Sequence, residues 1–405
     1  MLQPDSVEQT AGMPTKMNSS SIRRLNRVRV FHALRQNPGS SQRELGRLTG
    51  LDKATVSVVV AQLQQEGLIE RMASTSVRRV GRPETALTIA ASAGVLVGAR
   101  LEPKTIRMVA TTLAGEILAH MQIDGSRNVR RAITLLQKGI QELLTQAGEN
   151  REVRGIGVGI PGMMNREGRL VLAPNLGWRN SEIRPMLEEN LNAPVYVDND
   201  TNAASVAECL FGICRTVRNF IFITGHSGVG GGLVLDGRLY RGTGGFAGEV
   251  GHLSIVPGGR ACGCGKRGCL ETYVSEASIL ARLEELGRTL PDIWAVAEAQ
   301  GDPKVRQVLD EVGTHLGFAL SHLVNLMNPE LIVLGGNLAV IAQLLMPTLK
   351  RALAEHTLRP LLEDVRLEVS PLGADAVPMG GIALALEGFL TSSVVMAEER
   401  SQRRG

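Results

Sequence analysis

Three of the five cysteines fall within eight residues, in the run Cys262-Gly263-Cys264-Gly265-Lys266-Arg267-Gly268-Cys269, and His252 lies ten residues before the first of them. Three thiolates and an imidazole suit a tetrahedral zinc, and the glycines between them let the backbone turn tightly enough to aim the sulfurs inward. Four protein ligands leave no open position for an activated water, so such a zinc is structural. The competing reading is free thiols in a loop; Cys209 and Cys214 suit simple burial, whereas three thiols among glycines do not. A second set is carboxylic. Asp198-Asn199-Asp200 follows the apolar stretch 194–197 and precedes a helical stretch, which puts it at the carboxyl end of a strand, where α/β proteins place their ligands. Asp200 has the chemistry of a general base. Glu249 stands three residues before His252 and Glu271 two after Cys269, so both are tethered to the cysteine loop. Carboxylates and amides that bond neighbouring hydroxyls read together as a polyol pocket, although each acid alone would be a cap or a surface group. A third feature, the run from Ser227 to Gly232, is either a phosphate cradle or a plain hairpin.

These residues need positioning elements. From residue 91 onward β-rich and helical stretches alternate: strands at 95–99, 106–110, 155–160 and 195–197, with helices at 133–147 and 202–211. A second series comes after them, with strands at 220–224, 231–235 and 331–334 and helices after Glu271 and around 312–327. The pattern predicts two α/β lobes with a cleft between them. Ahead of them the periodicity predicts helix, helix, turn, helix. Leu25, Val28, Phe31 and Leu34 form one stripe; Ser41 and Glu44 form a capping box; Asp52 caps a third helix with Val56, Val59, Val60 and Leu63 inward, ending at Gly67. Lys53, Thr55 and Ser57 then lie on the outer amino-terminal surface of the last helix, as in a helix-turn-helix that reads major-groove base edges. Residues 68–71 and 86–89 read as a two-stranded wing, carrying Arg78, Arg79 and Arg82. Arg82 stands between Gly81 and Pro83, which suits insertion into a narrow minor groove. A three-helix protein-docking module is the plainer alternative.

Charge favours DNA. Residues 1–90 hold thirteen Lys/Arg against seven Asp/Glu, a net +6, while the rest of the chain sums to −2. A composition of 43% apolar and 21% charged residues over 405 positions is that of a globular chain with two or three domains. No run of the roughly 18 to 20 uncharged apolar residues of a membrane span stands out, and Met1 to Ser20 is polar, a flexible tail. Few cysteines, odd in number, exclude a disulfide-stapled secreted scaffold and point to the cytoplasm.

Taken in order, these segments resemble the ROK family of repressors and sugar kinases, and within it the transcriptional regulators. The carriers are the helix-turn-helix with Gly81-Arg82-Pro83; Gly159-Ile160-Pro161-Gly162; Ala173 to Trp178; Asp198 to Ala204; the glycine-rich segment; Gly248-Glu249-Val250-Gly251-His252; the cysteine cluster into Leu270-Glu271; and Asn328 to Gly336. The resemblance implies an α/β fold: a winged helix-turn-helix (21–90) joined to an actin- or hexokinase-like, ribonuclease H-like body with a zinc loop. Its first lobe spans 91–200, completed by 383–405, and its second, 201–382, carries the zinc and an oligomerisation surface. It implies zinc on His252, Cys262, Cys264 and Cys269, and sugar contacts from Asn175, Asn199, Asp200, Glu249, His252 and Glu271. Asp200 matches the catalytic base of the kinases. Those kinases carry an Asp-x-Gly-Gly-Thr phosphate loop where this chain has Arg100-Leu101-Glu102-Pro103-Lys104, and a glycine where His226 stands. Arg100 replaces an acid, Glu102 brings like charge toward phosphate, and Pro103 removes a backbone donor. The expectation is therefore a repressor of carbohydrate uptake and catabolism genes with a vestigial base and no kinase activity. It would act as a homodimer or homotetramer on operator DNA, with a sugar effector and no membrane partner. The alternatives are a hexose or N-acyl-hexosamine kinase with a DNA-binding head, and a regulator driven by a protein partner.

Overall fold

The computed structural model describes residues 19–72, 85–148, 151–174, 176–226 and 228–402. The segment 1–18 of the expected tail, the wing residues Arg78, Arg79 and Arg82, and the pocket residue Asn175 lie outside them. The chain divides into two compact units, Met1–Ala93 with Glu387–Gly405, and Gly94–Leu386.

In the first unit, α1 (Ser19–Gln36), α2 (Gln42–Thr49) and α3 (Lys53–Gln65) are followed by β1 (Ile69–Arg71) and β2 (Leu87–Ile89), which pair antiparallel with Ile69 opposite Ile89. The capping box is formed in full: Ser41 Oγ accepts from Glu44 N–H, and Glu44 accepts from Ser41 N–H at 2.8 Å. Gly50 ends α2 in the left-handed region (φ 69°), and Asp52 caps α3. Val56, Val59, Val60 and Leu63 face inward as the periodicity requires. The α1 stripe differs from its sequence reading. Its inner face is Arg27, Val30, Phe31 and Leu34, while Leu25 is 40% exposed. Arg27 is buried because its guanidinium meets Glu66 at 2.6 Å, and a charged residue on the core face hides the true i, i+3, i+4, i+7 pattern. His32 Nε2 lies 2.7 Å from Glu387 Oε1 in the same unit.

The second unit holds two five-stranded sheets. The first is built from β3 (Val95–Leu101), β4 (Thr105–Thr112), β5 (Ile117–Asp124), then α4 (Val129–Gln146), β6 (Val153–Ile160), a small sheet of β7 (Met163–Met164), β8 (Leu170–Ala173) and β9 (Trp178–Ser181), α5 (Ile183–Glu188) and β10 (Val195–Asn199). After α6 (Asp200–Leu210) the second comprises β11 (Phe220–Gly225), β12 (Val229–Leu235) and β13 (Arg238–Leu239). It continues through α7 (Glu271–Val274), α8 (Glu276–Glu285), α9 (Ile293–Glu298), α10 (Pro303–Met327), β14 (Leu331–Gly335), α11 (Gly336–His356), α12 (Arg359–Asp364) and β15 (Arg366–Val369), and α13 (Ala376–Gln402) closes the chain. The strand orders are β10-β6-β3-β4-β5 and β15-β14-β11-β12-β13. In each, an antiparallel meander is extended on its first strand by two parallel strands. This repeated layout is the actin/hexokinase-like body. Val97, Ile106 and Ile156 bury α4 residues Leu136 and Ile140; Ile221, Ile332 and Leu334 share a core with Leu316 and Leu320 of α10 and Ile341 of α11.

The glycine-rich run has a packing role. Most of it forms β12, paired residue for residue with β11; Gly230 and Gly232 face α6, whereas Gly231 faces Val250. A Cβ on Gly230 would collide with Thr201 Oγ1, and one on Gly232 with Ser205 Oγ. The stretch Gly373–Thr391 is long and apolar enough to cross a membrane, but it carries Asp375 and Glu387 and 61% of its most apolar window is buried inside the fold, as for a core helix. Gly232→Val should force α6 off the sheet and destabilise the protein by about 1–3 kcal/mol. Urea unfolding measures it, and an unchanged midpoint would contradict the packing role.

Candidate functional site

Strand β10 ends at Asn199, and α6 begins at the next residue, so the chain turns from strand to helix at the carboxylic triplet. The turn consumes two of the three side chains. Asn199 caps α6: its carbonyl accepts from Thr201 and Asn202 N–H, and its amide donates to Gly162 O at 3.0 Å. Asp198 is buried and accepts both nitrogens of Arg241, at 2.9 and 2.5 Å, as well as Asn202 Nδ2. Arg241 follows β13, and Arg166 also donates to Gly242 O, so the segment leading to Glu249 is strapped to the first sheet. Sequence reasoning missed Arg241; an arginine a few residues before the glycine-rich turn had no local pattern to mark it.

Asp200 remains for ligand chemistry. It lines a cleft of about 330 Å³ with Asn199, His226, Glu249, His252 and Glu271, within the range of small-molecule sites. All the described sugar-site residues expected from sequence therefore border one cavity. Asn175 is outside the described residues, and neighbouring Trp178 is buried in the first core, where its indole donates to Arg127 O at 2.6 Å. Burial pushes the Asp200 carboxyl above its ordinary value; Arg100 and the Thr201 N–H pull it back in part. Glu271 accepts from Val229 N–H at 3.2 Å, which ties the start of α7 to the β11–β12 hairpin. His226 is held well below its ordinary value, first by burial and then by Arg100.

The four expected metal ligands come together. One donor atom from each of His252, Cys262, Cys264 and Cys269 lies within 4.8 Å of all the others. Cys264 and Cys269 sulfurs are 3.8 Å apart and Cys262 Sγ is 3.7 Å from His252 Nδ1. Tetrahedral Zn–S bonds of about 2.3 Å place two sulfurs about 3.8 Å apart, so the donor set is compatible with zinc. The close fold depends on Gly268 (φ 75°), where a Cβ would overlap Val256 O. His252 Nε2 looks the other way, 3.9 Å from Glu249, so one ring borders both the cluster and the cleft. Cys209 and Cys214 stand apart; burial pushes the Cys209 thiol up to about 12 and Cys214 further, which makes both inert.

In the first unit, Lys53 and Ser57 are exposed at the start of α3. Thr55 is half-buried and its hydroxyl donates to Asp52 at 2.6 Å, which leaves it an acceptor.

The ROK family profile matches residues 96–388, and the MarR family profile matches residues 24–80. Among curated proteins, the chain is 29% identical to a xylose repressor of Caldicellulosiruptor bescii, over 92% of this chain and 98% of that one. It is 33% identical to a glucokinase of Halalkalibacterium halodurans, over 76% of this chain and 97% of the enzyme. Among solved structures, a ROK family transcriptional regulator described as a homologue of the E. coli MLC protein matches with a TM-score of 0.80 at 29% identity, over 93% and 98% of the two chains.

A carboxyl raised by folding contributes stability that is present in full below its unfolded value and is lost as pH rises through the folded value. Asp200→Asn removes that loss. The wild type should therefore lose stability relative to the variant as pH climbs from 3.8 through the raised value, and the difference should then level off. Urea unfolding across pH tests this; a pH-independent difference would count against it.

Proposed function

This chain belongs to the ROK family, and on that premise we propose that it is a sugar-responsive transcriptional repressor of carbohydrate genes, acting in the cytoplasm. The observation that carries it is the union on one chain of a MarR-type winged helix, matched over residues 24–80, with a ROK body, matched over residues 96–388. Lys53 and Ser57 project from the amino-terminal turn of α3, the part of a recognition helix that meets base edges, and Thr55 offers an acceptor beside them. Arg78, Arg79 and Arg82 supply the wing's contacts to the backbone and minor groove. Two such heads in a homodimer or homotetramer would read two half-sites.

In the body, Asp200, Glu249 and Glu271 accept from sugar hydroxyls, His252 orients Glu249, and Asn199 holds the turn that aims Asp200; Asn175 completes the contacts. Zinc would be held by His252, Cys262, Cys264 and Cys269, with a structural role that fixes the segment between Glu249 and Glu271. Support for a lost phosphate site comes from four residues. Arg100 and Glu102 are ion-paired at 2.6 Å across the start of the β3–β4 turn, Pro103 supplies no N–H there, and His226 packs on Gly336 and bonds Asn337. The imidazole thus covers the amino end of α11, whose free N–H groups would otherwise suit a phosphate. With no γ-phosphate positioned, Asp200 acts as a hydrogen-bond acceptor only.

The effector acts by favouring one arrangement of the body over another, and the two arrangements must differ in operator affinity. With an operator fragment selected from genomic DNA, D-xylose, D-glucose or N-acetylglucosamine should change the affinity by about 5- to 150-fold in a fluorescence anisotropy titration. If none changes operator affinity or thermal stability, the effector reading fails, and sugar-dependent ADP release from Mg-ATP would establish the kinase instead. Cys264→Ser should lower zinc content well below one per chain by elemental analysis and weaken sugar binding; full zinc content would contradict the ligand set.

A further inference from the structure

Arg100 lies near the end of β3, opposite Arg107 on β4 and Gly159 on β6. It is only 7% exposed, an unusual place for a permanent charge. A buried guanidinium persists only with anionic partners, and Arg100 has two, Glu102 at 2.6 Å and Asp200 at 3.8 Å. The short contact anchors the guanidinium to the β3–β4 turn. The longer one reaches across to the first residue of α6, on the wall of the cleft. The charged and titratable groups that face Asp200 are Arg100 from β3, Glu102 from the β3–β4 turn and Glu249 from the segment after β13. Among the described residues, Arg100 is the only cation ion-paired with Asp200, while Arg107 also acts on Glu102 and His252 on Glu249.

Asp200 is almost wholly enclosed, and a buried carboxyl without a cation takes up a proton. A protonated Asp200 would donate one hydrogen bond and accept poorly, the opposite of what a carboxylate offers a pair of sugar hydroxyls. We propose that Arg100 is a positioning residue of the cleft, the built-in cation that fixes the charge and aim of Asp200 so that it can accept from a sugar hydroxyl without any second ligand beside it. Glu102 is then the anchor that keeps Arg100 in place rather than a defect left in a lost phosphate loop. The inference rests on the reading of the cleft as a sugar site.

The test is isothermal titration of the full-length, zinc-loaded protein with D-xylose and with D-glucose between pH 5 and pH 9, for the wild type, R100M and R100K. R100M should lose affinity at pH 7 by about tenfold for each unit by which the Asp200 midpoint exceeds the assay pH, and should regain it as pH rises. R100K should stay near the wild type, because an ammonium also supplies the charge. Equal affinity of R100M and wild type at every pH overturns the proposal, as does a loss that is flat with pH and not rescued by lysine. The Arg100–Asp200 link is also read without sugar, from the unfolding midpoints of R100M, D200N and the double variant. R100M should shift the midpoint less when Asp200 is already Asn, and strictly additive shifts overturn the proposal. Absence of binding by the wild type to either sugar, with that coupling present, counts against the sugar reading and leaves the Arg100 assignment standing.

Discussion

A carboxylate enclosed between two sheets is the constraint around which the body is arranged. Asp200 starts a helix, so the free N–H groups and the positive end of the helix dipole favour its negative charge, and Thr201 N–H donates to it at 2.9 Å. Arg100 from β3 and that N–H together offset the cost of desolvation only in part, Arg100 more than the N–H, and the carboxyl stays above its ordinary value. The need for a cation here explains why a residue at the end of β3 can be a buried arginine, and why Glu102 stands two residues after it. It also requires β12 to come close to α6, which the glycines facing Thr201 and Ser205 permit.

Two straps hold the opposite wall against this point. Arg241 ties the segment after β13 to Asp198 of the first sheet, Arg166 ties it to the β7–β8 turn, and the His/Cys cluster gathers the adjoining stretch from His252 to Cys269. His252 serves both, since one ring nitrogen faces the sulfurs and the other faces Glu249. A change at the cleft is therefore mechanically tied to a wide stretch of the second sheet, which is what a binding pocket needs if it is to report occupancy rather than turn over substrate.

Relatives named as repressors and relatives named as kinases both match this body. The residues on which the proposed loss of phosphate binding rests lie on two turns, 100–104 and around His226. Fold likeness alone leaves the activity open.

Residue spacing along the chain was enough to specify the helix-turn-helix, the capping box, the two series of strands and the four residues of the His/Cys cluster. Each depends on contacts within a dozen or so residues, so local pattern carries the information. Motif order likewise identified the members of the cleft. Periodicity misplaced the inner face of α1, because Arg27 is buried only by virtue of Glu66, 39 residues away. The packed fold alone brings together the partners that meet across long separations: Arg241 with Asp198, Arg100 with Asp200, and the β12 glycines with α6. It also makes Asn199 a cap, with its amide committed at both ends before any ligand arrives. Such pairings depend on which strands lie side by side, and strand order is set by the packing of both cores, which no local pattern encodes.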